Sequence, residues 1–435
     1  MKITRFPGIK RLKSNSKDTF DIFVNEMKMI SHDRGVVIIF IMAVLAYPLL
    51  YSLVYKNETL INLPVAVVDN SRSHESTELI RHLNATPEVD VFSTYASLYD
   101  AQKAFNQRLV NGVIYIPDNF GKNINTGQKA NISVYCDMSS FLYYRTVLQA
   151  TNHVVLDMGK DIQVKRLGEQ GITGESAKII TEPVPYNDVV LYNETTGYAS
   201  FLVPAVLVLI LYQTLFFGIT ILAGTAREEN RFHALVSSSV HKGKTLRVVL
   251  GKSAAYFIIY LAWSIYVLKV IPQLFSLPHL GDSIDIIGLV IPFLLASIFF
   301  AMTISTFLPN RETGMLIFGI FSLILLFLGG VSWPYYNMNG FWKAFGWIFP
   351  STHGIQGYIK INTLGADIQT ISKEYHTLWL QALIYLLLCV WAYHRQIKKS
   401  LARARVHQMV SHKRETAMNE SGEQANNIAN SNSQP

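Results

Sequence analysis

Two tripeptides near the middle of the chain carry the residue types of a phosphate-binding loop: Gly243-Lys244-Thr245 and Gly251-Lys252-Ser253. Such a loop cradles phosphates on backbone N–H groups and a lysine, and it needs another glycine five positions before the Gly-Lys pair. Those positions hold Ser238 and Leu246, and no strand pattern precedes either, so neither tripeptide is expected to bind nucleotide. His233 and His241 lie eight apart in the same stretch, as do His74 and His82 further upstream. This is weak metal-ligand spacing, and surface histidines are the expected reading of both pairs. His-Glu-X-X-His, Gly-X-Ser-X-Gly and paired cysteines are all missing, and two cysteines, Cys136 and Cys389, cannot build a disulfide framework or a four-cysteine zinc site. The sequence therefore points to no catalytic residue, no cofactor and no metal of its own.

The composition explains why. Of 435 residues, 50% are hydrophobic and only 16% charged, with a mean hydropathy of +0.24. A soluble chain carries about 25% charged residues, so the deficit favours a membrane protein. The net charge of +8 could suggest nucleic acid, but its distribution follows the excess of Lys and Arg that marks cytoplasmic loops. Residues 227–252, basic and helix-capable, are clamped between two apolar runs, 198–223 and 248–271, each long enough to cross a bilayer.

In chain order, residues 1–34 are expected on the cytoplasmic side. Residues 1–17 read as loose, and 18–33 as an amphipathic interfacial helix with Phe20, Phe23, Val24, Met27 and Ile30 at helical spacing. Residues 35–55 form the first predicted span, with a kink expected at Pro48. Residues 56–198 change character. Short β-rich runs alternate with helical patterns, predicting an α/β extracytoplasmic domain that ends in one long helix over 139–169. Its four Asn-X-Ser/Thr triplets, at Asn57, Asn84, Asn131 and Asn193, are read as coincidence in a chain that looks bacterial. Residues 199–394 hold five further spans, with a cytoplasmic loop at 224–247 and an outer, aromatic, proline-interrupted segment at 332–375 read as re-entrant. Lys252 and Lys269, near span ends, are read as interfacial. Residues 395–435 are basic, then polar and disordered. The fold class predicted is a polytopic α-helical membrane protein of six transmembrane helices, with an α/β domain between the first two and both termini inside.

Several stretches resemble a known family, the type-2 ABC exporter permeases, the membrane subunits of ATP-driven exporters. REENRFHALVSSS at 227–239 is similar to the family's charged loop after the second span, and GKSAAYF at 251–257 resembles the start of its third. GGVSWPYYNM at 329–338 followed by FPSTHGIQGYIKI at 349–361 resembles the outer signature before the last span. VAVVDNSRS at 65–73, GVIYIPDNF at 112–120 and LYNETTGYASFLVP at 191–204 look like the drug and polyketide exporter branch. The layout matches over nearly the whole chain. One position departs: where the family carries Gly-Thr after the acidic pair, this chain has Arg231-Phe232.

The resemblance implies a mechanical role. The chain would pair with a second permease subunit, a copy of itself or a paralogue, and two ABC-type ATPase subunits would dock on the inner side. Arg227, Glu228, Glu229, Phe232 and Leu235 would make the ATPase contact together with helix 18–33. Trp333, Pro334, Pro350 and His353 would bend or gate at the re-entrant segment, with Pro204 and Pro292 as further bending points. Drug-like, lipid or other hydrophobic compounds are the expected cargo, the bacterial inner membrane the expected location, and a periplasmic adaptor a further expected partner. The alternative is a membrane receptor whose outer α/β domain binds a ligand. A membrane-embedded enzyme, the third reading, would need polar catalytic residues at one membrane depth, and none is found.

Overall fold

The computed structural model describes residues 7–185, 189–193, 197–228 and 245–398, in two compact units, Asn57–Tyr198 and the remainder. The second of these is a helical bundle. Among the described residues, six helices are long and apolar enough to cross a membrane: Arg34–Val54, Tyr198–Glu228, Thr245–Leu274, Ser283–Ser305, Arg311–Leu328 and Ser372–Lys398. They are called the first to sixth spans below. An entry helix, Pro7–His32, precedes them. It begins well before residue 18, so 7–17 is helical rather than loose. Proline at the first helical position suits this start, because its missing N–H would have no partner there anyway. Asp33 separates the entry helix from the first span and caps the latter, its Oδ1 accepting from Gly35 N at 2.9 Å and Val36 N at 3.2 Å.

Prolines inside the spans leave carbonyls that need other donors. Pro272, in the last turn of the third span, has no N–H to offer Leu268 four residues back. The Tyr358 hydroxyl donates to that carbonyl instead, at 2.8 Å, and the helix widens to a π-turn at Tyr266–Val270. A second π-turn, Ile38–Ala43, precedes Pro48 in the first span.

Tyr358 belongs to a helix, Pro350–Leu364, that lies between the fifth and sixth spans. A shorter helix, Gly340–Trp347, precedes it. The longer one is buried on most of its faces and packs on the fourth span, where Gly354 and Gly357 meet the side chains of Phe293 and Leu289. It also holds the connection between the third and fourth spans. Asn362 Nδ2 donates to Pro278 O at 2.8 Å, and Leu280 N donates to Asn362 O at 2.8 Å.

The other unit is a small α/β domain. Its strands are β1 (Leu63–Asp69), β2 (Val89–Thr94), β3 (Gly112–Ile116) and β4 (Ser133–Cys136), ordered β2-β1-β3-β4. β1 pairs parallel with β2 and β3, and β4 closes the edge antiparallel to β3. Helices α1 (His74–Asn84) and α2 (Leu98–Asn106) make the two crossovers. They cover opposite faces: Leu79 and Leu83 of α1 pack with Val65 and Val67, while Ala101 and Ala104 of α2 pack with Ala66 and Val68. Burial on both faces is why β1 reads as a continuous apolar run. Ser73 caps α1 in a reciprocal box with Ser76, and Ser97 caps α2 through Asp100 N. Two short helices, α3 (Phe120–Asn125) and α5 (Glu175–Thr181), were not expected from the sequence. The long helix, α4, runs Phe141–Glu169.

Candidate functional site

The second span ends on two opposite charges, Arg227 and Glu228, and each meets a helix end of matching polarity. Arg227 Nη2 donates to the carbonyls of Ser305 at 3.2 Å and Thr306 at 3.1 Å, the last residue of the fourth span and its cap. Those carbonyls lack intrahelical partners and carry the negative end of the helix dipole. Glu228 reaches the other side of the same turn, where the fifth span begins. Its Oε1 accepts from Arg311 N at 3.2 Å, and its Oε2 lies 3.6 Å from Arg311 Nε. An anion at a helix N-terminus is the favourable arrangement. The backbones come this close because residue 224 is glycine: a Cβ there would sit 2.5 Å from Arg311 N and 2.6 Å from its Cα.

The far flank of the same connection, the start of the third span, is held by the entry helix. Arg247 Nη1 pairs with Asp18 Oδ2 at 3.0 Å. One turn on, Gly251 lies against the entry-helix backbone, where a Cβ would sit 2.8 Å from Thr19 O. Below it, Glu26, 1% exposed, accepts from two donors of the third span. Lys252 Nζ donates to Oε2 at 2.8 Å, and the Tyr256 hydroxyl donates to Oε1. The inward stripe of the entry helix is thus Asp18, Ile22, Glu26 and Ile30, while Phe20 is 61% exposed.

This corrects the interfacial reading of Lys252. An amine near the end of an apolar run looks like a snorkelling group only while its partner, 226 residues earlier, is out of view. The entry helix also has a face packed on protein besides the amphipathic pattern read from the sequence. Phe20, Phe23, Val24 and Met27 do not form the buried face, which Ile22 and Glu26 share with Ile30. The signal available in the sequence was the i, i+4 series 18, 22, 26, 30 with acids at two of its positions. Lys269 is exposed as expected, its Nζ donating to Ser283 Oγ at 3.0 Å.

Of the expected coupling residues, Arg227 and Glu228 are therefore placed by the ends of the neighbouring spans. Glu229, Phe232 and Leu235, with His233 and His241, lie outside the described residues.

The four residues expected to gate do not form one group. Trp333 is 58% exposed and Pro334, beside it, opens an exposed turn at Tyr335–Asn337. Pro350 and His353 are buried in the first turn of the Pro350–Leu364 helix. The His353 ring lies 6.3 Å from that of Trp347, edge to face. Around it is a cluster of buried polar groups. Gln381 Nε2 donates to Trp347 O and the Tyr385 hydroxyl to Ile348 O, and Glu374 Oε1 pairs with Lys360 Nζ at 2.8 Å. Other atoms of the cluster find no protein partner: His353 Nε2, Glu374 Oε2, Gln381 Oε1, Ser351 Oγ and Thr352 Oγ1.

In the α/β domain, His74 and His82 line a cleft of about 600 Å³ with Glu75, Glu78, Asp157 and Asp161. Backbone hydrogen bonding at the start of α1 is the main cause that holds the Glu75 carboxyl below its usual range. Among the described residues, no group of three or more His, Cys, Asp or Glu side chains is arranged to hold a metal ion.

Among the described residues, six helices long and apolar enough to cross a membrane, with an α/β domain between the first two in the chain, define a multi-pass membrane protein. The sequence matches the family model described as ABC-2 family transporter protein over residues 34–391, most of its length, and the chain belongs to that family. No curated protein matches it.

Proposed function

We propose that the chain is the permease subunit of an ATP-driven exporter, and that residues 227–239 form the contact through which a separate ATPase drives it. The observation that carries this is the anchoring of the connection at both flanks. Arg227 and Glu228 fasten one flank to the turn between the fourth and fifth spans, and Asp18 and Glu26 fasten the other to the entry helix. A displacement of the loop would then be passed to helices rather than absorbed by slack chain. Glu229 would pair with basic groups of the ATPase, and Phe232 and Leu235 would fill an apolar groove on it. In this reading the loop, both termini and the entry helix face the cytoplasm, as the clustered Lys and Arg suggest.

The assembly would hold two permease subunits, identical or paralogous, and two ATPases in a bacterial inner membrane. The motifs of the outer domain favour the drug and polyketide branch, hence hydrophobic cargo, and the size of that domain favours contact with a periplasmic adaptor. Pro204 and Pro292 are the bending points within the spans. Burial of Pro350 and His353 favours a gate built around the Pro350–Leu364 helix rather than around Trp333 and Pro334.

The test is co-purification from mild detergent. An ABC-type ATPase is expected with the wild-type chain and is expected to be lost on replacing Glu229, Phe232 and Leu235 together by alanine. An ATPase that stays bound to that variant would rule out the loop as the contact. A second reading, ligand sensing by the outer domain, is favoured by the 600 Å³ cleft beside α1. It predicts ligand-dependent protection of His74 and His82 from modification in the full chain.

A further inference from the structure

We infer that Glu26 is a positioning residue for energy coupling: it joins the entry helix and the third span into one moving unit, distinct from a second unit made of the second, fourth and fifth spans. The inference rests on the reading of 227–239 as the driven contact.

The entry helix packs along the third span but buries few side chains against it. Over residues 17–32 its fully buried apolar side chains are Ile22 and Ile30, and the remaining buried position is Glu26 itself. An ionised carboxylate in that position is tolerated because Lys252 neutralises it and Tyr256 fills a further lone pair. Both donors come from the third span, one turn apart, and so fix the helix in angle as well as in distance. Gly251, between Arg247 and Lys252, removes the side chain that would otherwise keep the two backbones apart. Asp18 and Arg247 pin the same pair of helices two turns from Glu26.

On the other flank the contacts go elsewhere. Arg227 and Glu228 link the second span to the fourth and fifth, and a Cβ at Gly314 of the fifth span would meet Thr220 of the second at 2.9 Å. At the loop end the 229–244 connection thus joins two separately clamped units, while the third span packs on the fourth along the rest of its length and Lys269 bonds Ser283 at the other end. A push on the connection would displace one unit against the other only while Glu26 holds the first together.

Distances between spin labels on the full-length chain test this, in a background with Cys136→Ser and Cys389→Ala, in nanodiscs. Labels at Asn25 and Leu250, both exposed, span the entry helix and third span; labels at Asn25 and Phe307 span the two units. With the ATPase bound, passing from the nucleotide-free to the ATP–vanadate state is expected to shift the second distance and leave the first unchanged. The double variant Glu26→Gln/Lys252→Met removes both charges at constant shape, so that no buried charge is left unpaired. It is expected to broaden the first distance and abolish the nucleotide-driven shift of the second. The exchanged pair Glu26→Lys/Lys252→Glu is expected to recover a narrow first distance, which simple packing would not restore.

Equal shifts in both distances in the wild type would overturn the inference, as would a preserved shift in the neutral variant. If no ATPase binds the wild-type chain, the docking reading fails. The Glu26 clamp is then decided by the first distance alone: broadening in the neutral variant without ATPase supports it, and an unchanged narrow distance overturns it.

Discussion

The bundle treats buried ionisable groups differently at its two ends. At the loop end, the buried charges Glu26 and Lys252 are paired with each other, and Arg227 has two carbonyls. At the interrupted end, around the Pro350–Leu364 helix, Glu374 has one oxygen without a protein partner and His353 one ring nitrogen. A satisfied network rigidifies what it joins, whereas an unsatisfied buried group costs free energy and remains able to bind water or ligand. The contrast is what the proposed function asks for, with one end transmitting force and the other exchanging partners.

The largest effect should come from leaving one charge alone at the loop end. Glu26→Ala or Lys252→Ala is expected to destabilise the chain by about 3–5 kcal/mol, the usual cost of breaking a buried pair. Thermal unfolding in detergent reads this, and a loss below about 1 kcal/mol would show the pair to be wet and the contrast false. Next is Gly251→Val, which pushes a side chain against the Thr19 carbonyl. About 1–3 kcal/mol of overpacking cost is expected, with an entry helix that becomes protease-sensitive first. At the interrupted end the sign should change. Thr352→Val removes a buried hydroxyl that has no protein partner while keeping the shape, so it should be neutral or stabilise by up to about 1 kcal/mol. A substantial loss of stability there would mean that Oγ1 is held by a bound water, and would narrow the difference between the ends. The smallest effect is expected of Glu228→Gln. Its pair with Arg311 is more than a third exposed on both sides, so about 0.5 kcal/mol or less is at stake. ATPase co-purification would be the more sensitive readout for that variant.

Much of this architecture was legible because it follows from composition and period. Runs of about 20 apolar residues marked all six spans, and β-rich runs alternating with capped helical patterns marked the α/β domain between the first two. Arg227 and Glu228 stood out as charges at a span end. Their actual partners did not, because Ser305, Thr306 and Arg311 contribute backbone groups, which leave no trace in residue type. Lys252 was misread for a related reason. Hydrophobic periodicity weighs a residue by its own polarity, and it penalises an acid such as Glu26 on a buried stripe, although pairing reverses that penalty. The short helices α3 and α5 escaped because six or seven residues are too few for a periodic signal.

The Glu26–Lys252 contact also sets a problem in time. The two residues are 226 positions apart, and the α/β domain and two membrane passages are made between them. At a synthesis rate of about 5–20 residues per second, roughly 10–45 s separate the emergence of the acid from that of its amine. Throughout that interval the entry helix carries a carboxylate on the stripe it will bury, with nothing to neutralise it. Nascent chains should therefore hold this helix in water or on an insertion factor and bring it to the bundle only after the third span is in place, making its docking a late step of biogenesis.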